Sequence, residues 1–346
     1  MTRRAIAWYV HHHGMGHLTR MRAVAAHLEE EIVCFSSLPR PTMLPSNCTW
    51  MQLERDDDVE PGSTILAADR SPTAGGMLHW APELHTGHRR RLVRMARVID
   101  QHPVSAFVVD TSVEVTLFAR LLGIPPVLFT QPGTRHDEPH ALGLRAAARI
   151  VAPWPAELLR PAHLAPVQSS VVFTGGISRF DGRVAGPRTR DGVLVLGGRG
   201  GTQVVEADLA TAAAATPGER WVVLGGLGGS PGKENDWTDD PWESLLQADV
   251  TVSWAGQNAV ADLAASRARA VIVPQWRPFD EQLETARALG RAGLAVVEPI
   301  WPSAERWPEV LESARAREAD WSRWEACGAA ERAARVVHDV GAGRAE

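Results

Sequence analysis

Short apolar runs alternate with amphipathic stretches along most of the chain. Residues 5–10, AIAWYV, are continuously apolar and too few for a helix, so they read as a buried strand. Glycines follow at 14 and 16, after which Leu18, Met21, Val24, Ala25 and Leu28 recur at helical spacing. The same order returns in EIVCFSS (31–37), in SAFVVD ending at Asp110 with the helical VTLFARLLGI behind it, and in PVLFTQPG (126–133). Strands alternating with helices require right-handed crossovers and a parallel sheet.

A second series of similar plan begins near residue 192, with GVLVLGGRGGT, WVVLGGLGGS, ADVTVSWAG and RAVIVPQ each reading as a strand and the turn that leaves it. The chain is therefore expected to be α/β, with two Rossmann-like domains over 1–178 and 192–319. The segment 179–191, rich in Gly, Arg and Pro, is the linker. A last helix, from about Asp320 to Val340 within 320–346, follows with no strand after it. A length of 346 residues suits two cores.

Composition narrows the partners. With 22% charged residues and a formal net charge of -5, nothing favours nucleic acid. Cys34, Cys48 and Cys327 are odd in number and lack a CxxC pair, which indicates neither a disulfide framework nor a zinc knuckle and fits a reducing cytoplasm. No run approaches the ~18 apolar residues of a membrane span. In HRRRLVRMARVIDQH (88–102), Leu92, Met95, Ala96 and Ile99 share one helix face while Arg90, Arg94 and Arg97 share another. That basic face is either solvated or drawn to anionic lipid or a phosphorylated acceptor, giving peripheral membrane contact. The acidic run Glu54–Glu60 reads as a solvated loop.

In open parallel sheets ligands bind beyond the carboxyl ends of the strands, so the turns carry the chemistry. Gly198 and Gly201 with Thr202 let backbone N–H groups approach an anion. No Gly-Lys-Ser/Thr occurs for a Walker A loop, and the second strand ends CFSS without the carboxylate of a dinucleotide fingerprint. In the segment 248–290 a strand ends at Ser253, Gly256 opens a helix, Asp262 lies near its second turn, and Glu281 with Gln282 starts a further helix. Backbone donors there suit phosphate, and the side chains suit sugar hydroxyls.

This segment resembles the nucleotide-sugar signature of the GT-B glycosyltransferases, in particular the MurG-like group and its family 28 and family 1 relatives. Both halves of the chain contribute: GMGHLTR resembles the first-loop G-x-G-H, FTGGISR the step near the crossover, GGRGGT the phosphate loop and WTDDPWESLLQAD the uracil-side segment. The resemblance implies a GT-B fold whose last helix crosses back to the N-terminal domain. It further implies a UDP-sugar donor, no cofactor and no required metal. It places Gly198, Gly201, Gly256 and Gln257 on the diphosphate, with Arg179 and Arg199 supplying positive charge and Gly16, Thr202, Ser253 and Asn258 also in the donor site. Trp237 and Thr238 would border the uracil, Asp262 the ribose, and Glu281 with Gln282 the sugar. Asp262 stands where the family has Glu and Ala259 where it has Thr. No E-x7-E pattern follows the VIVP strand, which argues against a retaining mechanism.

Transfer to a hydroxyl calls for a base, and His17 occupies the family's first-loop histidine position. By the same resemblance Asp110 orients it; alternatively Asp110 caps the following helix, in competition with Ser112. Metal binding by His11, His12, His13 and His17 is disfavoured because neighbours in a strand point to opposite faces and no carboxylate is near in sequence. His13, Trp80, His136 and Asp137 are the candidate acceptor contacts; Trp80 would stack on a ring, and Asp137 is otherwise a helix cap in a polar loop. The reading is an inverting transferase acting on a glycan, lipid-linked or small-molecule acceptor. The alternatives are a nucleotide-sugar 2-epimerase or hydrolase, and a non-catalytic nucleotide-sugar-binding subunit.

Overall fold

The computed structural model describes residues 4–60, 62–184, 186, 189–198, 201–227, 238 and 240–344. Its first sheet has seven parallel strands: β1 (Ala5–Tyr9), β2 (Ile32–Ser36), β3 (Cys48–Gln52), β4 (Val104–Asp110), β5 (Pro126–Phe129), β6 (Arg149–Ala152) and β7 (Val171–Phe173). They lie in the order β3-β2-β1-β4-β5-β6-β7. Helices α1 (Gly16–Ala25), α2 (Thr86–Gln101), α3 (Val113–Leu121) and α4 (Glu138–Ala146) belong to this half. The second sheet is also parallel: β8 (Val193–Leu196), β9 (Trp221–Leu224), β10 (Val250–Ser253), β11 (Ala270–Ile272) and β12 (Val296–Val297), in the order β12-β11-β10-β8-β9. Helices α5 (Glu206–Ala215), α6 (Trp242–Gln247), α7 (Gln257–Ser266), α8 (Glu281–Arg291) and α9 (Trp307–Ala316) accompany it.

The unbroken apolar run of β1 follows from burial on both faces. Ile6 and Trp8 pack with Leu18, Met21 and Val24 of α1, whereas Ala5, Ala7 and Tyr9 face Phe35, Phe107 and Met95 on the other side. Helix α10 (Ala329–Gly341) lies against α1, β4, β5 and β6, so the end of the chain returns to the first sheet. It is not one helix from Asp320: a 3-10 turn at Trp321–Trp324 is followed by Glu325 at φ 53° and Gly328 at φ 69°, and these left-handed residues break the segment. Gly176 sits under this break, where a Cβ would lie 2.3 Å from Trp324 Nε1. No helix among the described residues is long and apolar enough to cross a membrane.

Both sheets place a switch of strand order where a ligand crevice is expected. In the first sheet it lies between β1 and β4, and in the second between β8 and β10. The turns leaving β1, β8 and β10 share one cavity. Gly133, at φ 106°, approaches the other half so closely that a Cβ would lie 2.0 Å from the carbonyl oxygen of Phe279, which accepts from Thr134 N at 2.7 Å.

Candidate active site

His17 is the second residue of α1 and Asp110 the last of β4, so the pairing of β1 with β4 brings them together. His17 Nδ1 lies 3.0 Å from Asp110 Oδ1. Asp110 is fully buried and does not cap α3, a role taken by Ser112 Oγ, which accepts from Val115 N at 3.2 Å. Burial pushes the Asp110 carboxyl up, but the charge of Arg20 and the contact with His17 outweigh it and hold the group below its ordinary value. Arg20, one turn after His17, reaches the other carboxylate oxygen at 3.2 Å.

His17 and Arg20 open onto a cavity of about 240 Å³ between the two halves. Gly16, Gly198, Gly256, Gln257, Asn258, Glu281, Gln282 and Arg179 line it too, as does Arg277, which the sequence did not single out. Gly256 is the N-cap of α7, whose first turn aims backbone donors at this space. Contacts bridge the cavity: Arg20 NH1 donates to Gln257 Oε1 at 2.9 Å and Asn258 Nδ2 to the carbonyl of Gly16 at 2.8 Å. Glu281 lies 3.7 Å from Arg135; burial raises its carboxyl above the ordinary value against the pull of Arg135, Arg20 and His17. Phe279 at φ 62° and Asp280 at φ 56° are left-handed just before it, a strained turn that aims α8 at the cleft. Gln282 Oε1 accepts from Gln275 N at 2.9 Å, which fixes its amide.

Other expected donor residues lie elsewhere. Asp262 is wholly buried, and its carboxylate accepts from Ser178 Oγ at 2.7 Å and from Arg179 Nε at 2.9 Å. It closes on the crossover and does not line the cavity. Ser253 is likewise buried and donates to the carbonyl of Leu196 at 3.0 Å, a tie between β10 and β8. Thr202 Oγ1 donates to Gln275 Oε1 at 2.9 Å, and the carbonyl of Gly201 accepts from Arg277 NH2 at 2.7 Å. Thr238 Oγ1 accepts from Asp240 N at 3.1 Å. Arg199 and Trp237 lie outside the described residues.

A second chamber, of about 370 Å³, adjoins the first at His13, which lines both. Trp80, Tyr9, His11, His12, Leu92 and Val115 form its walls with Asp56, Asp57, Arg91 and Glu114. Trp80 is held by its backbone N on Glu114 Oε1 at 3.0 Å and its Nε1 on the carbonyl of Asp56 at 3.1 Å. The acidic run is thus not simply solvated: Asp56 pairs with buried Arg91 of α2, and Glu60 with Arg70 at 3.0 Å. The α2 arginines divide, with Arg90, Arg94 and Arg97 exposed and Arg91 donating to Tyr9 Oη at 2.7 Å. Burial, and then the neighbouring histidines, hold His11 well below its ordinary value.

The expectation that adjacent histidines diverge fails, because β1 ends at Tyr9 and strand alternation does not extend to residues 11–13. His12 Nε2 and His13 Nε2 both approach Asp57 Oδ2, at 3.4 and 3.5 Å, and Arg55 donates to the same oxygen at 2.6 Å. Asp137 stands at the start of α4, yet its carboxylate does not cap; it bonds His79 Nε2 at 2.6 Å and His140 Nδ1. These two trios are the groups of metal-ligating type among the described residues. His136 is exposed and packs edge-on against His163.

The two facing parallel α/β units, with a terminal helix returned to the first, constitute the GT-B fold. No family model matches the chain. Among solved structures it is similar to Acinetobacter baumannii MurG (TM-score 0.58, 16% identity, 97% of this chain and 100% of that one). It is also similar to Phytolacca americana UGT2 complexed with UDP-2-fluoro-glucose and pterostilbene (TM-score 0.60, 14% identity, 96% and 94%). In sequence it is 30% identical over 225 residues to a UDP-N-acetylglucosamine–N-acetylmuramyl-(pentapeptide) pyrophosphoryl-undecaprenol N-acetylglucosamine transferase of Bordetella petrii. That match spans 60% of this chain and 59% of the relative.

Proposed function

We propose that the chain is an inverting glycosyltransferase that moves a hexose or N-acetylhexosamine from a UDP-sugar to an acceptor hydroxyl. The observation that carries the reading is the single cavity onto which both His17, backed by Asp110, and the glycine turns at Gly198 and Gly256 open. The acceptor oxygen attacks the anomeric carbon as the bond to the β-phosphate breaks. His17 takes the acceptor proton, Asp110 holds the ring, and the negative charge of departing UDP meets the N-terminus of α7 with Arg179 and Arg277. Glu281 and Gln282 hold the sugar. The acceptor enters through the chamber walled by Trp80, whose junction with the donor cavity is His13.

A 2-epimerase or hydrolase would crowd carboxylates around the sugar, whereas Glu281 is the one carboxylate among the described cavity-lining residues. Thermal unfolding with UDP, dTDP, GDP and their sugars tests the donor. At ~100 times its Kd, a true ligand adds about 2.7 kcal/mol to stability. UDP and a UDP-sugar are expected to stabilise the protein, and stabilisation by none of the nucleotides would end the reading.

A further inference from the structure

Arg20 has no part in the chemistry just described, yet it touches both halves of it. It is 3% exposed, lies on α1 one turn beyond His17, and stacks its guanidinium over Phe129 at 5.8 Å. Its Nε is 3.2 Å from Asp110 Oδ2 while its NH1 donates to Gln257 Oε1 at 2.9 Å. Asp110 Oδ1 is the oxygen that faces His17, and Gln257 opens α7 at the turn where the diphosphate is expected. A planar fork of this kind can hold two partners at fixed geometry, which a single ammonium cannot.

We infer that Arg20 is a positioning residue: it shares the Asp110 carboxylate with His17, and through Gln257 it links the base to occupancy of the donor turn. Two consequences follow from the charges. Arg20 and His17 approach opposite oxygens of one carboxylate, with the His11 ring centroid 5.6 Å from that of His17 and Glu281 also acting on it, so removal of the guanidinium leaves the Asp110 charge to His17 alone. A ligand that draws Gln257 towards a phosphate shifts Arg20, and with it the field at His17. Linkage then requires that protonation of His17 and nucleotide affinity influence each other through the same residue.

The second consequence rests on the transferase reading, and the first does not, so the test has two arms. Histidine ring signals are followed by NMR against pH in the unliganded protein, with His17 assigned from the signal lost in His17→Ala. In Arg20→Gln the His17 midpoint is expected about one pH unit higher than in the parent, roughly tenfold in proton affinity. Arg20→Lys, which restores the charge, should return it most of the way. A folded Arg20→Gln with the parent's midpoint, whatever its melting temperature, would overturn the inference, since a purely structural arginine would lower stability without moving that titration. Should Arg20→Gln not fold, a His17 midpoint in Arg20→Lys displaced by the full tenfold would overturn it equally.

The second arm repeats the titration with saturating UDP in the parent and in Gln257→Leu. UDP is expected to move the His17 midpoint further in the parent than in the variant, where only the direct field of the diphosphate acts. Equal movement in both overturns the coupling through Gln257. Absence of UDP binding in the parent refutes the donor assignment and with it the coupling, while the role of Arg20 at Asp110 is still decided by the first arm.

Discussion

Asp262 carries two bonds that a ribose would have to displace. Its carboxylate, without solvent exposure, joins α7 to the crossover through Ser178 and Arg179, and burial raises it while those partners oppose. Asp262→Ala is therefore expected to lower stability by about 1.5–3 kcal/mol, the range for a charge-assisted hydrogen bond, as read by denaturant unfolding. An unchanged unfolding midpoint with loss of nucleotide binding would return Asp262 to the ribose. His17 and Asp110 were singled out through the resemblance to a first-loop histidine and its orienting carboxylate, and the folding of β1 beside β4 puts them 3.0 Å apart. Arg20 and the Asp56–Arg91 pair were not, since a charge on an amphipathic helix or in an acidic run reads as solvated until the fold shows what lies opposite.

At the scale of elements, the long apolar strands were legible and the marginal ones were not. β3 lies at an edge with Trp50 its one buried residue, while β7 and β12 have three and two residues, too few for a pattern. The interrupted final helix was misread because the apolar spacing of Trp321 and Trp324 continues across a turn that only backbone angles reveal. The α4 region carries a pH-dependent load. His140 on α4 and His163 in the following 3-10 segment are both pushed down to about 4 from the ordinary 6.5, by burial first and then by Arg135. Each is thus neutral when folded at a pH where the unfolded chain binds a proton. Stability is full above pH 6.5 and is lost as pH falls through that value towards about 4. Melting temperatures across this window should decline, and less steeply in His140→Gln; a flat profile would contradict the burial of these rings.

The whole molecule is built so that two switch points of strand order face each other, one presenting His17 and Asp110 and the other Gly198, Gly256 and Gln257. Thr134 to Phe279, Arg20 to Gln257 and Asn258 to Gly16 hold them in register. This architecture was legible from the alternation of strands and helices, whereas the second chamber was not, because its walls come from segments far apart in sequence. The most direct measurement compares UDP release from the UDP-sugar, with a hydroxyl acceptor present, in the parent and His17→Ala, alongside nucleotide-induced stabilisation of both. In His17→Ala kcat is expected to be lower by about 10²- to 10⁴-fold with the stabilisation unchanged. A retained kcat would show that His17 is not the base.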